Sequence, residues 1–433
     1  MQTIAIREED KSVLEKRVPL TPADLAPLVA RGMRVLVEPS NHRVLRDEEF
    51  TRAGAELTRD LSPAGVIFGL KEIPAAKILP GKTHIFFSHT IKGQPYNMGM
   101  LRQILWSGAT LIDYERVVDE HNRRLIFFGN FAGYAGAINS LYLLGQRLAQ
   151  EGIRSPLQEI RRAMDCDSLA HAHALVRQAG RELRREGLPE ALRPFVIGVT
   201  GYGNVSKGAQ DVVDELEPVP LSPADLLRGH FEAGLNEIYK VVFTEADMVT
   251  PIEGGPPFEL QHYFKHPEGY RSVFEGYLPR LSLLLNCIYW DGRYPRLVTR
   301  EAVRRLWAQA QKTLRVIGDI SCDIEGSIEF TFEAHGPDQP FLIYHPLQDR
   351  YHLGLEGEGV AVLIEDILPS ELPLEASQYF SKVLSPFVPS IAAADFGVPF
   401  EELAVPDPIR RAVIVYRGQL TPGYRYLEQY LKD

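Results

Sequence analysis

Phe195-Val-Ile-Gly-Val-Thr-Gly201-Tyr-Gly203-Asn-Val-Ser206-Lys-Gly208-Ala-Gln210 is the stretch on which the reading of this chain turns. A short apolar run leads straight into G-x-G-x-x-S, and Val205, Val212, Val213 and Leu216 then recur at helical spacing. Strand, glycine turn and amphipathic helix in that order make the first βα turn of a dinucleotide-binding unit. Gly201 is expected to form the tight turn and Gly203 to let a pyrophosphate approach. The helix start at Asn204 and Val205 offers backbone N–H groups to that anion. Ser206 stands where a third Gly or Ala is usual, at an expected cost in close packing. The ribose determinant is due roughly 20 residues further on. There the chain reads Glu217-Pro-Val-Pro-Leu221-Ser222-Pro223-Ala-Asp225. The expected strand end, Leu221-Ser222, carries no acid. Ser222 can hydrogen-bond a 2′-phosphate, with Arg228 near in sequence, so the reading favours NADP(H). Asp225 keeps NAD open.

Outward from this motif, the 433 residues suggest two or three domains, 45% hydrophobic and 24% charged. Their net charge is −10, with no Lys/Arg-rich run to offset it, so no nucleic-acid partner is expected. Cys166, Cys287 and Cys322 are scattered and odd in number. They suit a reducing compartment, fit neither a disulfide framework nor a zinc spacing, and imply no metal. No apolar run approaches the ~18 residues of a membrane span. The start of the chain lacks the apolar core of a signal peptide and carries acids early, so a cytoplasmic protein is expected.

The first ~130 residues alternate strand and helix in short units, as a parallel α/β layer does. Candidate strands are Ile4–Ile6, Val35–Val37, Val66–Leu70, His84–Phe87, Thr110–Ile112 and Leu125–Phe128. Candidate helices start at Thr21-Pro22 and cover Glu48–Gly54, Asn97–Trp106 and about Ala132–Gln150. The last of these opens with Gly129, Gly133 and Gly136, which allow close backbone approach. After residue 195 come strands Lys240–Phe243, Leu283–Tyr289, Leu314–Ile317 and Gly359–Ile364, a capped helix Thr299–Gln311, and helical segments Glu375–Leu384 and Tyr424–Leu431. The expected architecture is α/β: two Rossmann-like domains separated by a cleft.

Ligands of open α/β sheets gather at the carboxyl ends of strands. Four polar clusters occupy such ends: Arg17 in Glu15-Lys-Arg17-Val-Pro-Leu-Thr21; Lys71 and Glu72 after Val66–Leu70; His89 and Lys92 after Phe86-Phe87; and Asp113 and Glu115 after Thr110–Ile112. One alone reads as a solvated loop charge, but four at one edge indicate a functional cleft. Other constellations fail. His262 and His266 lack a third ligand nearby, Gly354-x-x-Gly357-x-Gly359 precedes a strand instead of following one, and neither G-x-S-x-G nor H-E-x-x-H occurs.

Taken together, these residues resemble the lysine–2-oxoglutarate reductase part of the α-aminoadipic semialdehyde synthases. The resemblance extends, more distantly, to lysine-forming saccharopine dehydrogenases and alanine dehydrogenases. It runs collinearly through Arg17–Pro22, Phe87–Lys92, Leu111–Glu115, Gly201–Gln210, Ile288–Trp290, Asp319–Glu329 and Leu368–Ser377. It implies reductive condensation of L-lysine with 2-oxoglutarate to saccharopine using NADPH, or the reverse. It also implies a discontinuous substrate domain, 1–138 plus 375–433, around a dinucleotide domain, 139–374. By the same resemblance Lys71 and His89 perform the proton transfers and Arg17 clamps a carboxylate.

Chemistry suits those roles. A buried Lys whose pKa is lowered by neighbouring cations, paired with a His, can cycle protons near neutral pH. Lys92 would add a point charge for a product with three carboxylates. Glu72, Glu115 and Asp319 would receive substrate ammonium groups or tune the lysines, and Asp323 would lie near the nicotinamide. The chain ends at Asp433, so the glutamate-forming half of the bifunctional relatives is expected to be missing. Two other readings stay open: the same chemistry on a different amine or keto acid, and a decayed nucleotide- or partner-binding protein. The expected partners are an amino acid and a keto acid. A homodimer and a separate glutamate-forming saccharopine dehydrogenase are left open.

Overall fold

Residues such as Ile4, Val35, Val66 and Ile197 are almost wholly buried. Continuous apolar runs of this kind are stable as strands only inside a parallel sheet covered on both faces. In the computed structural model, residues 3–232, 234, 236–309 and 313–431 are described. The chain divides into two compact units, one of Met1–Phe128 with Pro373–Asp433, the other Gly129–Leu372.

The first unit begins β1 (Thr3–Ile6), α1 (Pro22–Ala30), β2 (Arg34–Val37), α2 (Asp47–Arg52), β3 (Glu56–Leu57), β4 (Val66–Phe68), β5 (Thr83–Phe86), α3 (Pro95–Trp106) and β6 (Thr110–Asp113). Pro22 starts α1 at the position where a missing N–H costs nothing. Gly32 follows its end at φ 88°. The strands pair in parallel in the order β3-β2-β1-β4-β5-β6. Beyond β6, Val413–Tyr416 from the far end of the chain adds antiparallel. That strand takes the sheet edge which Leu125–Phe128 would have needed. Those four residues are a loop instead, tied by the Leu125 N–H to the Val117 carbonyl at 2.9 Å.

The second unit opens with α4 (Gly129–Gln150) and α5 (Leu169–Glu186). There follow β7 (Phe195–Thr200), α6 (Asn204–Asp214), β8 (Val219–Pro220), α7 (Pro223–Arg228), β9 (Ile238–Phe243) and α8 (Glu245–Met248). A two-stranded ribbon, β10 (Val249–Pro251) with β11 (Tyr270–Ser272), precedes β12 (Leu283–Asn286), β13 (Val316–Asp319), the hairpin β14 (Phe341–His345) and β15 (Arg350–Leu353), and β16 (Val360–Leu363). The remaining strands, in the first unit, are β17 (Val413–Tyr416) and β18 (Gln419–Leu420). The helix expected over Thr299–Gln311 covers Arg300–Trp307, and residues 310 and 311 lie outside the described residues.

The sheet order of this unit is β15-β14-β16-β13-β12-β7-β9-β8. All neighbours from β16 to β8 are parallel. One feature departs from the usual doubly wound order: β9, not β8, lies against β7, and β8 is the outer edge. The reason is in the sequence. Pro218 and Pro220 flank and end β8, and a proline has no N–H to give a central ladder. Ile238–Phe243 has six residues without proline, and every one pairs with β7.

Helix α4 packs closely on α6. A Cβ on Gly133 would be driven into the Val205 carbonyl, and one on Gly208 into the carbonyl of Asn130. Among the described residues no helix is long and apolar enough to cross a membrane.

Candidate functional site

Parallel pairing of β4 with β5 brings two of the polar clusters to one edge, and the Phe87 N–H continues the ladder to the Leu70 carbonyl at 3.0 Å. Just past this point stand Lys71 and Glu72 on one strand end and His89 on the other. Glu9, 3% exposed in its side chain, accepts the backbone N–H groups of Leu70 (2.7 Å) and Lys71 (2.8 Å) and so fixes the turn. Burial pushes the Glu9 carboxyl up to about 7, against the pull of Arg7.

Lys71 has no ion-pair or hydrogen-bond partner for its ammonium among the described residues. Burial first, and the charge of Arg17 second, lower its pKa, while Glu15 and Glu72 pull the other way. Glu72 accepts from His89 Nδ1 at 2.7 Å and from the Lys11 ammonium at 2.9 and 2.8 Å. Burial would raise Glu72, but the His89 and Lys11 contacts outweigh it and hold the group at about 2. The Glu72–His89 bond orients the ring and leaves Nε2 for a ligand.

The backbone of His89 is in the left-handed region at φ 48°, which a β-carbon disfavours. Its neighbours enforce it. Buried Asp113 accepts the N–H of Ser88 at 3.1 Å and its hydroxyl as well. Asn97 Nδ2 donates to the His89 carbonyl at 3.2 Å, and Phe87 stacks on the ring at 6.2 Å.

Arg17 is 2% exposed. Its Nε and Nη2 meet the two oxygens of Glu15 at 2.7 and 2.6 Å, and the guanidinium carbon lies 4.4 Å from the centre of the Phe128 ring. The expected clamp for a substrate carboxylate is therefore occupied on its two-point edge, and only Nη1 is left to a ligand. The loop carrying Arg17 is anchored by Val18 and Thr21, whose N–H groups donate to Ser377 Oγ (3.0 Å) and Ser381 Oγ (2.8 Å) in the helix Pro373–Leu384. Lys92 is exposed, on the loop after His89. Glu115, expected to meet a substrate ammonium, is bound by Arg124.

The second unit carries the glycine turn. Gly201 has φ 77°, and its N–H donates to the Phe243 carbonyl at 2.8 Å. Gly203 caps α6, and no atom lies within 4 Å of where its Cβ would be, so a ligand backbone can come close. Ser206, expected to loosen the packing, tightens the turn instead: its buried hydroxyl donates to the Gly201 carbonyl at 2.7 Å and accepts from Gln210 at 3.0 Å. A cavity of about 350 Å³ opens beside Gly201 and Gly203, lined by Glu245, Tyr263, Cys287, Ile288 and Trp290 among others.

Two expectations fail here. Ser222 is not at the end of the strand beside β7. It caps α7 beyond the outer edge, accepting the Asp225 N–H at 3.0 Å and donating to the Asp225 carboxylate at 2.6 Å. The strand beside β7 is β9, and the residue that follows its end is Glu245, which the spacing argument missed. The prolines of β8 were the signal that could have found it. Asp319 is likewise unavailable to a substrate. It is fully buried at the end of β13, where Asn286, Ser321 and Thr331 donate to it at 2.8, 2.7 and 2.6 Å. Burial raises its pKa, and the side chain is a strut between strand ends. Asp323 is half-buried on the loop that follows, between Cys322 and Glu325 at φ 52° and 47°.

A glycine turn that leads into a helix at a parallel sheet edge is the arrangement of dinucleotide-binding sheets, and a Lys–Glu–His cluster stands on a second such edge. Residues 5–135 match the family described as Alanine dehydrogenase/PNT, N-terminal domain. Over its full length the chain is 37% identical across 450 residues to the alpha-aminoadipic semialdehyde synthase of Arabidopsis thaliana, covering 99% of this chain and 42% of that protein. It thus spans about half the length of the semialdehyde synthases it matches. It is 28% identical over 393 residues to the saccharopine dehydrogenase [NAD(+), L-lysine-forming] of Neurospora crassa, covering 88% of this chain and 89% of the other. Among solved structures an L-alanine dehydrogenase shares the fold, with a TM-score of 0.59, 17% identity, and coverage of 99% of this chain and 100% of the other.

Proposed function

We propose that the chain catalyses the reductive condensation of L-lysine with 2-oxoglutarate to saccharopine, or the reverse, with a nicotinamide dinucleotide as hydride carrier. The observation that carries this reading is the partnerless Lys71 ammonium, lowered by burial and by Arg17, next to the Glu72–His89 pair. Likeness over nearly the full chain to the semialdehyde synthases supports the choice of substrates.

The substrate amine must lose a proton before its nitrogen attacks the ketone carbon, and a desolvated lysine is suited to take it. The new C–N bond turns the ketone oxygen into a carbinolamine hydroxyl. That hydroxyl gains a proton from His89 and leaves as water, which yields the imine. Glu72 stabilises the charged ring through Nδ1, so Nε2 can give and recover the proton. Arg17 Nη1, Lys71 and Lys92 supply positive charge for substrate carboxylates, and Lys11 keeps Glu72 from offsetting it. When bound, a nicotinamide dinucleotide would supply the hydride for reduction of the imine to the secondary amine. The residues present suit that group: the Gly201/Gly203 turn and the start of α6 for its pyrophosphate, and the adjoining cavity for its adenosine.

NADP(H) was favoured through Ser222, and the sheet order removes that support. A reducing location such as the cytoplasm belongs to this reading, because all three thiols are free and well separated in the chain. The test is oxidation of NADH or NADPH with 2-oxoglutarate while the amine is varied. Turnover with lysine supports the proposal. Turnover with another amine alone would leave the chemistry and change the substrate. No turnover with any amine, while dinucleotide binding persists, would reduce the chain to a binding protein.

A further inference from the structure

We infer that Glu245 selects NAD(H) over NADP(H) by binding the adenosine ribose diol, and that the cavity beside it holds the adenine. The inference rests on the dinucleotide reading of the second unit and deepens it.

The argument begins with sheet order. In a doubly wound sheet the adenosine ribose lies over the end of the strand next to the one that feeds the glycine turn. Here that strand is β9, in register with β7 so that Phe243 pairs with Thr200. The Gly201 N–H to Phe243 carbonyl bond closes the last rung. One and two residues further on, the same register brings Gly201 beside Thr244 and Tyr202 beside Glu245. Thr244 caps α8, its N–H and hydroxyl both meeting the Asp247 carboxylate at 2.9 and 2.8 Å, so the turn that presents Glu245 is held. Glu245 is half-buried and lines the cavity. Its charge also raises the pKa of the Tyr202 phenol, as the second cause after burial.

The cavity supplies a second, independent argument. Much of the rest of its lining is aromatic and aliphatic, with Tyr263, Phe264, Ile288 and Trp290, which suits the flat face of a purine. Among the described residues no lysine or arginine lines it. Arg293, near Tyr294, is already held by both oxygens of Asp291 at 2.9 and 2.8 Å. A carboxylate can accept both hydroxyls of a ribose diol. The same carboxylate repels a 2′-phosphate, and the cavity offers no cation to offset that repulsion.

The experiment is equilibrium binding of NADH and NADPH to the full chain, followed by calorimetry or nicotinamide fluorescence without amine or keto acid. Wild type is expected to bind NADH at least about tenfold more tightly than NADPH. Glu245→Gln should narrow that ratio, and Glu245→Arg should invert it. Ser222→Asp, which keeps the cap but adds an acid beyond the outer strand, should leave the ratio where it was. Preference of the wild type for NADPH, or a ratio that ignores both Glu245 variants, overturns the inference while the dinucleotide reading stands. Failure of the wild type to bind either nucleotide overturns both. Circular dichroism of each variant separates a lost preference from a lost fold.

Discussion

Each unit is built on an eight-stranded sheet with two antiparallel strands at one end, yet the two sheets order their parallel strands differently. In the first unit the order outward from β1 is β2, then β3. In the second unit the order outward from β7 is β9, then β8. The exchange moves the end of the neighbouring strand from one part of the sequence to another, and with it the residue that follows that end, Glu245 instead of Ser222. Chemistry differs as well. The first unit gathers Lys71, Glu72 and His89 at its edge, whereas the second presents a glycine turn, Glu245 and an aromatic cavity. On the proposed reading, similar sheets serve two tasks, proton handling in one and nucleotide binding in the other.

The division can be broken or sharpened by four measurements. Gly208→Val is the most severe, because the added atoms run into the Asn130 backbone between α4 and α6. It should leave the second unit unfolded or strongly destabilised, seen as loss of its thermal transition. A variant as stable as wild type would mean that the close helix contact is dispensable. Lys71→Met and His89→Gln should each lower kcat by at least ~100-fold while dinucleotide affinity stays nearly the same. A matching fall in affinity would dissolve the division of labour.

The third measurement concerns stability against pH. Glu9 holds its proton more tightly folded, at about 7, than unfolded, at 4.5. Its stabilising contribution is complete below the unfolded value and is lost as pH rises through the folded one. Relative to wild type, the unfolding free energy of Glu9→Gln should therefore rise by up to about 3 kcal/mol across that window. A flat difference in denaturant titrations would show that burial does not perturb this carboxyl. The smallest effect is expected from Glu72→Gln, which keeps a hydrogen bond to His89 but removes the charge. A fall in kcat of roughly tenfold with KM little changed would mark Glu72 as a positioning residue.

Much of this was legible in the sequence. Phe195–Thr200 was read as a strand and is one, and the clusters at Lys71 and His89 were placed on strand ends because apolar runs stop there. Elements missed or misplaced were those whose existence depends on a distant partner. Leu125–Phe128 has the composition of a strand but no sheet edge to join. The hairpin of β14 and β15 was overlooked because its second strand, Arg350–Leu353, is mostly exposed and polar. In the site, Glu15 stood in plain view two residues before Arg17, yet its hold on the guanidinium is a matter of side-chain geometry.

What the sequence determined by itself is local: the glycine turn, the alternation of strand and helix, and the polar residues that close each strand. These follow from backbone preferences and hydrophobic period, which act over a few residues. Tertiary structure alone decided which strand lies beside β7, and therefore that Glu245 and not Ser222 follows the end of that neighbouring strand. It also decided that Asp319 is a buried strut, since its donors Asn286 and Thr331 come from 33 and 12 residues away. Pairing order and burial are set by contacts between distant segments, which no local pattern encodes.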